Sequence, residues 1–136
     1  MSIKYICPYI NFQGRAREAM EFYHEVLGGK LVLRTTDETG EPKAAGPGDR
    51  ITHSQLVADG ACIFGVDGHP KYPAKVGENV ALALGGADKA RLTTIFHDLA
   101  EGGQAKMPLT QQPGGVEVGY LLDKFGINWI VSIEKS

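Results

Sequence analysis

The sequence predicts an α+β fold made of two consecutive βαβββ modules. Three observations carry that prediction. An internal repeat comes first: Phe22-Tyr23-His24-Glu25-Val26-Leu27-Gly28-Gly29 is matched by Phe96-His97-Asp98-Leu99-Ala100-Glu101-Gly102-Gly103 at an offset of 74, and the same offset lays Ile6, Pro8 and Ile10 over Val80, Leu82 and Leu84. Each copy holds one helical stripe closed by a glycine pair. Each stripe is preceded by one strand-like run and followed by three.

Residues 3–12 read as an apolar strand in which Ile6, Ile10 and Phe12 are prominent. A helix is predicted from Arg15 to Leu27, because Ala16, Ala19, Met20, Tyr23, Val26 and Leu27 fall on one stripe. Gly28-Gly29 ends it by taking the left-handed conformation that a C-cap requires. Strands follow over 30–36, 51–58 and 61–66, with Asp59-Gly60 as the two-residue turn of a tight hairpin. In the second module a strand is predicted over 79–84. Asp88 caps the next helix, whose stripe is Leu92, Ile95, Phe96 and Leu99. Strands over 105–110, 116–122 and 127–133 complete the module. Two stretches lack a period. Residues 37–50 read as a long mobile loop, either covering a site or merely flexible, and residues 67–77, with Pro70 and Pro73, read as a linker. The expected organisation is one domain, 1–136, with modules at about 1–66 and 78–136.

Composition narrows the function. A chain of 136 residues suits one domain, and 43% apolar with 22% charged residues excludes disorder, collagen and coiled coil. The longest uncharged apolar stretches are six to eight residues, too short for a membrane helix. A net charge of −2 without a basic stripe argues against nucleic acid as a partner. Met1-Ser2-Ile3-Lys4 lacks the apolar core of a signal peptide, so a cytoplasmic protein with reduced cysteines is expected. No Lys, Arg or His adjoins Cys7 or Cys62, and both read as small hydrophobes rather than reactive thiols.

Several pieces, in order, carry a family resemblance: Pro8-Tyr9-Ile10-Asn11-Phe12, Glu18-Ala19 with Phe22-Tyr23, Ile51-Thr52-His53-Ser54-Gln55-Leu56, Met107-Pro108-Leu109, Gly119 and Asp123-Lys124-Phe125-Gly126-Ile127-Asn128-Trp129. Together they resemble the vicinal oxygen chelate superfamily of glyoxalases, ring-cleaving dioxygenases and bleomycin-resistance proteins, and within it the PhnB-like branch. The resemblance implies curved mixed sheets around a cavity, helices outside, and a homodimer. It also implies where a divalent metal would be held. The last-strand carboxylate position falls on Ile130 and its repeat on Phe64, while the first-strand position falls on Cys7 or Pro8 and its counterpart near Val80, beside Asn79 and Ala81. These side chains do not make the oxygen and imidazole set that such a cation needs, so no metal and no cofactor are predicted. Some members carry the name of a ubiquinone-precursor methyltransferase. The glycine-rich nucleotide loop that methyl transfer would call for is absent from this sequence. The resemblance also favours an aromatic residue before Gly115 and before Gly119, where this chain has Gly114 and Val118.

A polar strip remains as the candidate site. In the third strand Ile51, His53, Gln55 and Val57 share one face by alternation, so His53 and Gln55 are neighbours that can both donate and accept hydrogen bonds. They either line the cavity or form a polar outer edge. Tyr9 and Asn11 have the same spacing on the first strand, and Trp129 is either core or an aromatic wall. Glu117 and Tyr120 lie on opposite faces, so at most one points inward. His24 and His97 fall off the helical stripes and read as solvated, and His69 lies in the linker. His53 is the one candidate for acid–base chemistry. The reading is a homodimeric protein that binds a small organic ligand through Tyr9, Asn11, His53, Gln55 and Trp129, without metal. The alternatives are a metal-dependent or His-based isomerase or lyase of the glyoxalase type, and a drug-sequestering resistance protein. Low aromatic content, 8%, and the small charge rank the last of these lowest.

Overall fold

A computed structural model describes residues 5–135. The chain divides into two compact units between Lys75 and Val76. The first unit runs β1 (Tyr9–Asn11), α1 (Ala16–Leu27), β2 (Lys30–Thr36), β3 (Pro42–Ala44), β4 (His53–Ala58) and β5 (Ala61–Val66), in a sheet of order β1-β5-β4-β2-β3. The second runs β6 (Leu82–Gly86), α2 (Lys89–Ala100), β7 (Gln104–Gln111), β8 (Glu117–Leu122) and β9 (Asn128–Ile133), in the order β6-β9-β8-β7. Both sheets are mixed. The first strand of each unit pairs in parallel with the last, β1 with β5 and β6 with β9, and the other pairs are antiparallel.

Each sheet buries one face under its own helix. The α1 stripe of Ala16, Ala19, Met20, Tyr23 and Leu27 is buried, as are Leu56, Ala58 and Ile63 on the sheet beneath. Ser54 is fully buried on the same face and escapes a desolvation penalty because its hydroxyl donates to the Gly65 carbonyl at 2.6 Å. In the second unit Leu92, Ile95, Phe96 and Leu99 cover Leu121, Trp129, Val131 and Ile133. Gly119 is required there: a Cβ would come within 2.7 Å of the Phe96 ring.

The strand registers fix the repeat. Tyr9 faces Phe64 and Ala83 faces Ile130, so the first strands are offset by 74. The helices are offset by 73, which makes Tyr23 rather than Phe22 the counterpart of Phe96. The step arises before the helix, where four residues separate Asn11 from Ala16 and three separate Gly85 from Lys89, and is reversed after it, where two separate Leu27 from Lys30 and three separate Ala100 from Gln104.

Four expectations change. The first strand is shorter than 3–12: residues 3 and 4 lie outside the described residues, Ile6 is exposed, and Pro8 has no N–H for the ladder. The next module's strand covers Leu82–Gly86 rather than 79–84, and residues 79 and 80 are exposed. Residues 37–50 are not a plain loop. The Asp37 carboxylate accepts from the Thr39 N–H at 2.8 Å, the Thr39 hydroxyl at 2.6 Å and the Glu41 N–H at 3.0 Å, and this turn brings β3 back along β2. The Thr39 hydroxyl, then the Glu41 and Thr39 amides, hold the Asp37 carboxyl below its ordinary pKa. Arg17 tethers the far side by donating to the Gly46 carbonyl at 2.5 Å. Finally, Ile51 lies outside β4 and is buried, its N–H donating to the Asp67 carboxylate and its carbonyl accepting from the Asp67 N–H.

Asp67, read from sequence as the start of a linker, is a structural pin. Its Oδ1 accepts from the Ala16 N–H at 2.8 Å and its Oδ2 from the Ile51 N–H at 2.7 Å. It therefore caps α1 from 51 residues away, where Arg15 at the N-cap makes no side-chain cap bond. α2 starts with the expected local device, Asp88 accepting from the Arg91 N–H.

Candidate functional site on the first sheet

In β4 the even positions Ser54, Leu56 and Ala58 point under α1, so His53, Gln55 and Val57 must point the other way. Cross-strand register extends that open face. Gln55 is flanked by Phe64 on β5 and Val32 on β2, His53 by Arg34, Val57 by Cys62 and Lys30, and Phe64 in turn by Tyr9. A row therefore runs Tyr9, Phe64, Gln55, Val32, with His53 and Arg34 one step along it. The His53 ring centroid is 5.8 Å from that of Phe64, and Tyr5 meets Phe64 edge-on at 5.4 Å. His53, Gln55 and Phe64 are half-buried, and Tyr9 is 63% exposed. The face thus offers an aromatic floor with an imidazole, an amide and a guanidinium at its edge, groups that can donate to or accept from a flat organic molecule.

Of the five predicted ligand residues, three share this face: Tyr9, His53 and Gln55. Asn11 lies one turn of alternation beyond Tyr9, at the end of β1. Its Oδ1 accepts from the Gln13 N–H at 2.8 Å, and its amide sits against Gly68. Trp129 lies elsewhere, in the interior of the second unit at 3% exposure, with its Nε1–H donated to Asp123 Oδ2 at 2.9 Å. Asp123 is 2% exposed and its Oδ1 also accepts from the Phe125 and Ile127 amides, so the Asp-x-Phe-Gly-x-x-Trp run closes a turn and seats the indole. Arg34 was missed. Its signal was the alternation Val32, Arg34 in β2, legible only once the partner strand was known. Glu117 points to the helix side and pairs with Lys89 at 3.0 Å, while Tyr120 lies on the open face of the second sheet. His24, His69 and His97 are exposed.

The two later-strand positions that the family resemblance gives to metal ligands, Phe64 and Ile130, carry hydrocarbon. Phe64 is flanked by Tyr9 and Gln55, and Ile130 by Ala83 and Tyr120. Among the described residues no three His, Cys, Asp or Glu side chains converge. The donor set does not fit a divalent cation. Cys7 and Cys62 are neighbouring thiols, and burial, followed by the hydrogen bond to Cys7, pushes Cys62 up to about 11. A thiol so raised is a poor nucleophile and metal ligand near neutral pH.

Comparison with known proteins agrees with this fold. Residues 4–132 match the sequence profile of the family described as 3-demethylubiquinone-9 3-methyltransferase. Protein PA1353 from Pseudomonas aeruginosa is 34% identical, with a TM-score of 0.82 over 99% of this chain and 100% of its own. The PhnB protein from Bacillus cereus is 24% identical, with a TM-score of 0.75 over 96% of this chain and 100% of its own. A glyoxalase/bleomycin resistance protein from Albidiferax ferrireducens T118 shares the fold at 15% identity, with a TM-score of 0.58 over 94% of each chain.

Proposed function

The chain belongs to the 3-demethylubiquinone-9 3-methyltransferase family, with the PhnB-like vicinal oxygen chelate fold, and on that premise we propose that it is a cytoplasmic homodimer binding a small organic ligand on the open face of its first sheet, without the usual metal. The observation that carries the reading is the row Tyr9, Phe64, Gln55 with His53 beside it. Tyr9 and Phe64 supply stacking area, Gln55 and His53 fix the polar edge, and Asn11 extends the contact at the end of β1. His53 is the group that would move a proton if this face does chemistry; a metal-dependent route gains no support from Phe64 and Ile130. Methyl transfer, the activity in the family's name, is not what we propose, because β1 reaches α1 through Phe12-Gln13-Gly14-Arg15 and not through a glycine-rich nucleotide loop. Sequestration of a cationic drug is disfavoured too. The charged side chains in the strands of this face are Lys30 and Arg34, both cations.

Native mass spectrometry of untagged protein purified without chelator tests this. The expected species is a dimer carrying an organic mass and no stoichiometric metal. A dimer with one divalent metal per subunit overturns the reading.

A further inference from the structure

A second place in the first unit lies apart from the His53 row. The chain leaving β5 folds over the end of β1 and the start of α1, and borders a solvent-open cleft of about 410 Å³, within the range of small-molecule sites. Four residues of the lining carry side-chain hydrogen-bond donors, Asn11, Gln13, Arg50 and His69, and three of them matter here. Asn11 accepts from the Gln13 N–H through Oδ1, which leaves its NH₂ facing elsewhere. His69 accepts from the Lys71 N–H at Nδ1, 3.1 Å, which puts the proton of the neutral ring on Nε2 as a donor. Arg50 brings a guanidinium that pairs with no carboxylate among the described residues. The one carboxylate in the lining, Asp67, is taken up by the Ala16 and Ile51 amides and spans the start of α1. Pro70 and Pro73 supply an apolar wall.

The lining is rich in donors, and its sole acceptor charge is already committed. We propose that this cleft binds a small organic oxyanion, a carboxylate or phosphate whose head is held by Arg50, His69 and Asn11 and whose body lies on Pro70 and Pro73. An arginine fork can grip either head through two parallel hydrogen bonds, which makes Arg50 the dominant contact. The inference stands independently of the ligand proposed for the first sheet, which is carried by Tyr9, Phe64, Gln55 and His53; Asn11, at the end of β1, is the residue that the two places share.

The test is a ¹H–¹⁵N titration of the intact protein with benzoate, phenyl phosphate and inorganic phosphate as separate probes. Saturable shifts are expected at the Gly14 and Gly68 amides and at the Asn11 side-chain NH₂. Benzoate and phenyl phosphate saturating at lower concentration than inorganic phosphate would show that the proline wall takes the organic body. Arg50→Gln, at an exposed position, is expected to weaken binding about tenfold or more with its other amide peaks in place. His53→Ala with Gln55→Ala is expected to leave binding unchanged. Shifts that grow linearly without saturating, that centre on residues 53–57 instead, or that persist at equal affinity in Arg50→Gln overturn the proposal.

Discussion

The two units share a topology and differ in where they put their polar groups. On the helix side they solve one problem twice, with buried aliphatic and aromatic residues at equivalent places: Tyr23 in one unit, Phe96 in the other. On the open side the equivalents part company. The row Tyr9, Phe64, Gln55, Val32 in the first unit corresponds to Ala83, Ile130, Tyr120, Met107 in the second. The first row carries an amide and has His53 and Arg34 beside it, whereas the polar group of the second is the Tyr120 hydroxyl. Repeated apolar pattern specifies the fold, and the binding chemistry we propose lies where the copies differ.

The polar pins differ in the same way, and breaking them ranks their importance. Asp123→Ala is expected to be the most destabilising, by about 3 kcal/mol, because it removes a buried acceptor from the Trp129 indole and two amides together. Urea unfolding followed by Trp129 emission measures it. Asp67→Ala follows at about 2 kcal/mol, since it strips the cap from α1 and the anchor from Ile51 at once. Asp88→Ala removes a single exposed cap bond in the second unit and is expected to lose about 1 kcal/mol. If Asp67→Ala and Asp88→Ala prove equal in the same urea series, the long-range pin contributes no more than a local cap.

A smaller effect concerns the thiols. With its pKa raised to about 11, Cys62 stays protonated from neutral pH up to that range, so its alkylation by iodoacetamide is expected to be slow at pH 8 and to accelerate as pH rises toward 11. The sign follows for stability: above the ordinary thiol pKa the unfolded chain loses this proton first, so any contribution to stability declines between about pH 9 and 11. Peptide mapping of alkylated protein separates Cys62 from Cys7. Rapid labelling of Cys62 at pH 8 would contradict its half-buried, hydrogen-bonded setting.

Elements with strong local patterns were legible in the sequence. The α1 stripe, the strands 30–36 and 61–66, and the Asp88 cap lie where the periodicity and turn residues put them. The side-chain alternation that set His53 and Gln55 together was legible for the same reason. Features that depend on distant partners were not. Nothing local to Asp67 says that its carboxylate meets Ala16, and an Asx turn at Asp37 amid charged residues hid the short β3. Trp129 was ambiguous because a lone indole suits a cleft or a core; its acceptor, Asp123, stood six residues away. Arg34 needed the β2–β4 register before it could be placed beside His53.

The contrast between the two open faces is tested most directly by paired variants at equivalent places: His53→Ala with Gln55→Ala in the first unit, and Tyr120→Ala in the second. None of these side chains is buried, so each protein is expected to stay within about 0.5 kcal/mol of wild type per substitution. Native mass spectrometry then reports the organic mass each retains. The account predicts that the first variant loses it and Tyr120→Ala keeps it. Retention by the first variant with loss in Tyr120→Ala would contradict the account and move the site to the second sheet.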